Sequence, residues 1–246
     1  MSYMKMLRRS VNVALATLVC SQAMAGVVIT GTRLIYPSDQ KEVTVKLNNN
    51  GRVPALVQAW VDTGDIKSSP TSSKAPFVLS PPVSRIDPSK GQSLRLMFTG
   101  APLPMEAESV FWLNILEIPP KAEGPLDLNV LQMAFRSRIK IFYRPAGLPG
   151  SAADAPMLVQ WKLIPQGADF ALQAFNPTPF YVSLVELSLT VGNRRLESEN
   201  GMISPGETRL FALPGVSSQP IVPAQVEFNA INDYGALTPI KQPLKP

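Results

Sequence analysis

The sequence contains no histidine and only one cysteine, Cys20, among its 246 residues. Because histidine is the commonest metal ligand and the usual general base near neutral pH, its absence excludes the most frequent metal sites and acid–base centres. Cys20 lies in the predicted leader described below, so the exported chain would have no thiol for catalysis, for a zinc site or for a disulfide. We therefore expect no bound metal and a fold that is stabilised by packing alone.

Nucleotide and nucleophile motifs are also missing. The sequence has no GxxxxGK[ST] loop for a nucleotide phosphate and no GxSxG turn for a serine nucleophile. These absences favour a protein that is not an enzyme and has no catalytic residues, no nucleotide and no cofactor. The 18 acidic residues still permit a pair of converging carboxylates. An exported carbohydrate-active enzyme therefore stays open as an alternative.

Long hydrophobic runs are scarce, and the one near the N-terminus is short. Lys5, Arg8 and Arg9 precede an apolar run over residues 11–19, and Ala23-Met24-Ala25 follows it. A membrane-spanning helix needs about 20 apolar residues, so the pattern predicts a secretory signal peptide over residues 1–25, cleaved near Ala25. Removing its three cations from the net charge of +5 leaves +2. Such a small charge argues against a nucleic-acid partner.

The remaining sequence alternates short apolar segments with turn residues, which predicts an all-β protein. A small, polar stretch at residues 147–156 predicts a linker between an N-terminal domain, 26–146, and a C-terminal domain, 157–246. The predicted strands are 27–36, 42–48, 54–62, 92–98, 109–118 and 126–144 in the first domain, and 157–164, 168–175, 180–191, 208–212 and 223–231 in the second. Six or seven strands in about 120 residues are typical of an immunoglobulin-like β-sandwich.

One predicted strand, within residues 129–145 (NVLQMAFRSRIKIFYRP), is unusually long. Its alternate positions form an apolar row (Leu131, Met133, Phe135, Ile139, Ile141, Tyr143) and a largely basic row (Gln132, Arg136, Arg138, Lys140). A period of two residues gives a strand one apolar and one basic face. From periodicity alone, Leu131, Met133 and Phe135 are as well explained as core residues of their own domain as by a contact with another protein.

Six segments, in order along the chain, resemble the periplasmic pilus-assembly (fimbrial) chaperones, the PapD-like family. They are VQAWVD (57–62), PPVSRIDP (81–88), ESVFWLNILEIPP (108–120), NVLQMAFRSRIKIFYRP (129–145), NPTPFYV (176–182) and INDYG (231–235). The resemblance implies two immunoglobulin-like domains set at an angle with a cleft between them. The modest connection between 120 and 129, without a cysteine pair, favours the short-loop branch of the family.

The resemblance also implies roles for particular residues. Leu131, Met133 and Phe135 would enter the groove of an incomplete pilus subunit by donor-strand complementation. Arg33 and Lys140 would bind the terminal carboxylate of that subunit in the cleft. Three further residues would form ion pairs between the domains: Glu108, Arg144 and Asp233.

The partners implied by the family are pilin or fimbrial subunits and an outer-membrane usher, and the implied location is the periplasm. A self-capping homodimer is a further expectation, because an exposed apolar strand needs cover when no subunit is bound. The alternative is an exported immunoglobulin-like structural or adhesive pilus component. Such a component would typically have one sandwich, a disulfide and its own N-terminal donor extension, and this sequence has two domains and no cysteine after the leader.

Overall fold

The computed structural model describes residues 26–120, 133–167, 169–213 and 223–244, which form seventeen strands and one short helix. The strands of the N-terminal half are β1 (Val27–Ile29), β2 (Arg33–Pro37), β3 (Val43–Asn49), β4 (Ala55–Asp62), β5 (Phe77–Ser80), β6 (Val83–Ile86), β7 (Gly91–Phe98), β8 (Ser109–Ile118) and β9 (Phe135–Arg144). The C-terminal half contains α1 (Ala155–Leu158), β10 (Gln160–Gln166), β11 (Asp169–Phe175), β12 (Val182–Val191), β13 (Arg194–Glu197), β14 (Gly201–Ile203), β15 (Thr208–Leu213), β16 (Ala224–Ile231) and β17 (Leu237–Pro243). No helix in this part of the chain is long and apolar enough to cross a membrane.

Strands β1 to β9 form the N-terminal sandwich, which has two sheets. One sheet has the order β1-β3-β7-β5 and the other β2-β9-β8-β4-β6. Alternate apolar residues of the two sheets face each other and form one core, in which Leu47, Leu94, Leu113 and Ile141 are fully buried. Burying a side chain of this size contributes about 1.5 to 3 kcal/mol.

The C-terminal sandwich, α1 with β10 to β17, has a separate core. Its sheets have the orders β10-β11-β15 and β13-β12-β16-β17, and β14 pairs with β12. Trp161 packs against Phe211 and Phe228, with ring centroids 6.1 and 5.5 Å away. Two cores and four sheets confirm the predicted all-β fold with two immunoglobulin-like sandwiches.

Several element predictions were wrong in detail. The predicted strand 27–36 is two strands, β1 and β2, which pair in different sheets, and Gly31 between them has a φ of +97°. Met157 and Leu158 are helical rather than extended, since Pro156 lies in the first turn of α1. Strands β5, β6, β13, β14 and β17 were not predicted, because most are short or largely exposed and have a weak apolar alternation.

Candidate functional site

Two cations, Arg33 and Lys140, lie side by side where β2 begins. The two residues are direct partners in the parallel pairing of β2 with β9. Both are half-buried, and neither forms an ion pair with a carboxylate of the described residues. The Arg33 guanidinium lies over the Phe142 ring, 5.5 Å from its centroid.

The electrostatics of this pair are unfavourable in the protein alone. Burial lowers the pKa of Lys140, and the positive charges of Arg33 and Arg209 lower it further. Burial also lowers the pKa of Arg33, although Asp233 and Glu108 act in the opposite direction. A partly desolvated positive site that has no direct ion pair is suited to an anion.

The backbone edge of β9 leads to these cations. β8 pairs with β9 along nearly its whole length, from Phe135 to Tyr143. On the other side, β2 pairs only with the part from Lys140 to Arg144. Within the described residues, no strand covers that side of β9 over 135–139, so a free sheet edge ends at Arg33 and Lys140. Such an edge can accept a strand from another chain.

The strand predicted over 126–144 begins later in the described residues, at Phe135, so Met133 lies just before β9 and in no strand. The apolar row changes its environment along this segment. Met133 and Phe135 are 54% and 59% exposed, whereas Ile141 and Tyr143 are buried in the N-terminal core. The interpretation of Met133 and Phe135 as core residues of their own domain is therefore wrong. Leu131, the third residue of this prediction, lies outside the described residues.

The predicted ion-pair residues are in contact at the junction of the two sandwiches. Arg144 Nε donates to Glu108 Oε1 at 2.6 Å, and its Nη1 and Nη2 donate to the two Asp233 oxygens at 2.7 and 2.8 Å. Burial alone would lower the pKa of Arg144, but the hydrogen bonds and charges of Asp233 and Glu108 raise it above its usual value. Arg144 therefore connects a carboxylate of its own sandwich with one of the other.

Glu108 connects the sandwiches by a second route. Its side chain is buried, its Oε2 accepts from Tyr181 N at 2.8 Å, and its backbone N donates to Pro179 O at 2.9 Å. The segment around Pro179 is held in place by buried Asn176, whose Nδ2 donates to Phe180 O at 2.7 Å. The motif NPTPFYV thus shapes the C-terminal side of the junction.

Sequence reasoning missed a polar network beneath the basic row of β9. Arg138 pairs with buried Asp62, and Arg136 Nη2 donates to Asn114 Oδ1 at 2.6 Å. Both guanidinium groups lie over tryptophan rings, Arg136 over Trp60 and Arg138 over Trp112. Trp60 lies two residues before Asp62 on β4, and Trp112 lies two residues before Asn114 on β8, so each pair shares one face of its strand. This spacing is the sequence signal that could have indicated the network.

Among the described residues, no group of three or more histidine, cysteine, aspartate or glutamate side chains could hold a metal ion. The arrangement offers recognition instead: a free strand edge, exposed apolar side chains and two cations without a direct ion pair. These features suit an extended peptide that ends in a carboxylate.

Comparison with known families agrees with this geometry. Residues 26–149 match the family model described as "Pili and flagellar-assembly chaperone, PapD N-terminal domain", and residues 154–242 match "Pili assembly chaperone PapD, C-terminal domain". The chain belongs to the pilus-assembly chaperone family. The resemblance inferred from the six sequence segments is thereby confirmed.

Individual members of the chaperone family are similar over nearly their whole length. The probable fimbrial chaperone YadV of Escherichia coli is 45% identical over 87% of this chain and 88% of its own. The chaperone protein FimB/FhaD of Bordetella pertussis is 42% identical over 88% of this chain and 87% of its own. The predicted function of a fimbrial chaperone is confirmed at this level.

Solved structures of family members give the same result. The crystal structure of the YadV chaperone superposes with a TM-score of 0.78 at 42% identity, covering 89% of this chain and all of that one. The SafB chaperone of Salmonella enterica, solved in complex with the SafA pilin, superposes with a TM-score of 0.73 at 28% identity, covering 91% of this chain and 99% of that one.

Proposed function

We propose that this chaperone captures incomplete pilus subunits by adding β9 and the segment before it to the subunit's sheet. The subunit's last strand lies along the free edge of β9, and its terminal carboxylate binds Arg33 and Lys140. Main-chain hydrogen bonds along the edge give affinity, and the two cations select a chain end. A planar arginine fork and a lysine point charge are complementary ways to bind a carboxylate.

The observation that carries this proposal is that the free edge of β9 ends at the two cations. β2 begins at Arg33 and runs parallel to β9. A guest strand on the same side of β9 as β2 would pair with residues 135–139. Its C-terminus reaches Arg33 only if the guest strand also runs parallel to β9. The geometry therefore supports both a direction and a register for the guest strand.

Side chains of the apolar row supply the second contact. We assign Leu131, Met133 and Phe135 to the groove of the subunit, and the exposure of Met133 and Phe135 supports this role. Each buried side chain would contribute about 1.5 to 3 kcal/mol before ordering costs. We assign Glu108, Arg144 and Asp233 to fixing the angle between the sandwiches, and hence the width of the cleft.

Family membership supports the remaining expectations. We propose that residues 1–25 are removed on export to the periplasm. We also propose that the domains span 26–146 and 157–246, with a linker at 147–156. The protein is further proposed not to be an enzyme. An outer-membrane usher is proposed as the partner that receives the subunit. A self-capping homodimer is proposed for the state without a subunit, because exposed Met133 and Phe135 would then be covered.

Co-expression with genes encoded beside it tests the proposed function. Mass spectrometry of the co-purified material should find a pilin-like partner at one copy per chaperone. Self-assembly into fibres without such a partner would favour the alternative, a structural or adhesive pilus component. Turnover of a polysaccharide would favour an enzyme and contradict the proposal.

A further inference from the structure

Arg33 belongs to the N-terminal sandwich, but its guanidinium is held by the C-terminal one. Arg33 Nη1 donates to the backbone carbonyl of Ile231 at 2.8 Å. Arg33 Nε is buried without a hydrogen-bond partner in the described residues, and Arg33 lines a cavity of about 30 Å³ between the sandwiches. The direction of the remaining N–H groups therefore depends on the position of Ile231.

Ile231 ends β16 and leads into a tight turn, residues 232–236. Asn232 closes this turn, since its Oδ1 accepts from the backbone N of Tyr234 and of Ala236, both at 3.0 Å. Gly235 has a φ of +83°, and a β-carbon at this position would lie 2.4 Å from Thr32 Oγ1. Thr32 immediately precedes Arg33, so the turn touches the N-terminal sandwich next to the cation.

We infer that the turn 232–236 is a positioning element for Arg33. With threonine at position 32, only a glycine at 235 lets the turn approach closely enough for the Ile231 carbonyl to orient the guanidinium. Carboxylate recognition then depends on the C-terminal sandwich as well as on the strand that contains Arg33. This inference rests on the proposed role of Arg33 as a carboxylate anchor.

The test compares two glycines that have the same positive φ. Gly235 and Gly100 both have a φ of +83°, but a β-carbon at Gly100 would meet no atom within 4 Å. Gly235→Ala and Gly100→Ala therefore both place an alanine at the same positive φ, and only Gly235→Ala brings the new methyl group against Thr32. The double variant Thr32→Ala, Gly235→Ala removes the obstructing hydroxyl and should restore the contact.

The readout is the ratio of affinities for two probes, a short acetylated peptide of alternating threonine and valine and the same peptide with a C-terminal amide. Charge-assisted bonds predict that the wild-type protein binds the free acid at least about tenfold more tightly. In Gly235→Ala the ratio should fall to about twofold, while Gly100→Ala and the double variant keep the wild-type ratio. A general loss of strand binding would weaken both peptides equally and leave the ratio unchanged.

The outcomes separate the two proposals. A wild-type ratio near one would contradict the carboxylate anchor, and the inference with it. A wild-type preference that Gly235→Ala retains would overturn the inference alone. Thr32→Ile provides a second variant, because it adds bulk to the same contact without changing a glycine. It should also lower the ratio, and an unchanged ratio would likewise overturn the inference.

Discussion

At the scale of single residues, the chemistry depends on two neighbouring cations, neither of which forms an ion pair with a carboxylate of the described residues. Lys140 is half-buried next to Arg33, and both burial and its cationic neighbours lower its pKa. The protonated ammonium therefore costs folding free energy, which a bound carboxylate would offset. Binding affinity at this site is obtained at the expense of the stability of the free protein.

The first prediction is that Lys140→Met stabilises the free chaperone at pH 7 and weakens its preference for a peptide with a free carboxylate. Methionine fills a similar volume without the buried charge. The unfolded chain binds the Lys140 proton more tightly than the folded chain, so wild-type stability rises as pH increases from the folded pKa towards 10.5. The advantage of the variant should therefore shrink over the same range.

Thermal unfolding of the variant and wild type at several pH values measures this difference. Lys162→Met, at an exposed position of β10, is the control and should leave the melting temperature nearly unchanged. A variant less stable than the wild type at pH 7 would contradict the assigned cost of the Lys140 charge.

At the scale of elements, β9 changes along its length from an exposed strand to a core strand. Residues of one apolar row are exposed at Met133 and Phe135 and buried at Ile141 and Tyr143. Periodicity identifies such a row, but it does not show which of its residues are buried in the sandwich. That depends on where the neighbouring strand β2 begins. The sequence thus predicted the strand, and the pairing partners define its free portion.

The second prediction is that the double variant Met133→Asp, Phe135→Asp folds normally and fails to capture subunits. Exposed substitutions usually change stability by about 0.5 kcal/mol or less, so the melting temperature should shift little. Two charges cannot enter an apolar groove without a large desolvation cost. Co-purification with a subunit measures capture.

Two comparisons make this result specific. Val78→Asp, at a 49% exposed position of β5, should retain both folding and capture. Ile141→Asp, in the core, should unfold the N-terminal sandwich. Normal capture by the double variant would contradict the role of the exposed row.

Other elements show what a pattern of residues could and could not reveal. Strongly alternating or solidly apolar strands such as β4, β8 and β12 were predicted close to their observed bounds, because burial determines their sequence. Short strands such as β13 and β14 exist through pairing with β12 and have little pattern of their own. For the site, Arg33 and Lys140 were identified by resemblance, whereas the Ile231 carbonyl and Thr32 became visible only in three dimensions.

At the scale of the whole molecule, the two sandwiches meet through Arg144, Glu108 and Asp233. The guanidinium makes a bidentate pair with Asp233 and a third bond to Glu108, so its planar group connects both sandwiches. Bidentate, partly buried pairs have a defined geometry, unlike exposed pairs that contribute about 0 to 1 kcal/mol. The angle of the cleft should therefore depend on Arg144.

The third prediction is that Arg144→Glu loosens the arrangement of the sandwiches. The substitution places a third carboxylate beside two others and leaves Glu108 buried without its cation, a change that costs about 3 to 5 kcal/mol. Small-angle X-ray scattering should show a larger radius of gyration, and thermal unfolding should separate into two transitions. Arg85→Glu breaks a pair whose side chains are 70% and 62% exposed and should change neither measurement. An unchanged scattering profile for Arg144→Glu would argue against this role.

The most direct measurement is the crystal structure of the chaperone bound to a co-purified subunit. We predict that the subunit's last strand pairs in parallel with β9 over 135–139 and that its terminal carboxylate contacts Arg33 and Lys140. A complex in which this edge stays free and the subunit binds elsewhere on the chaperone would contradict the account.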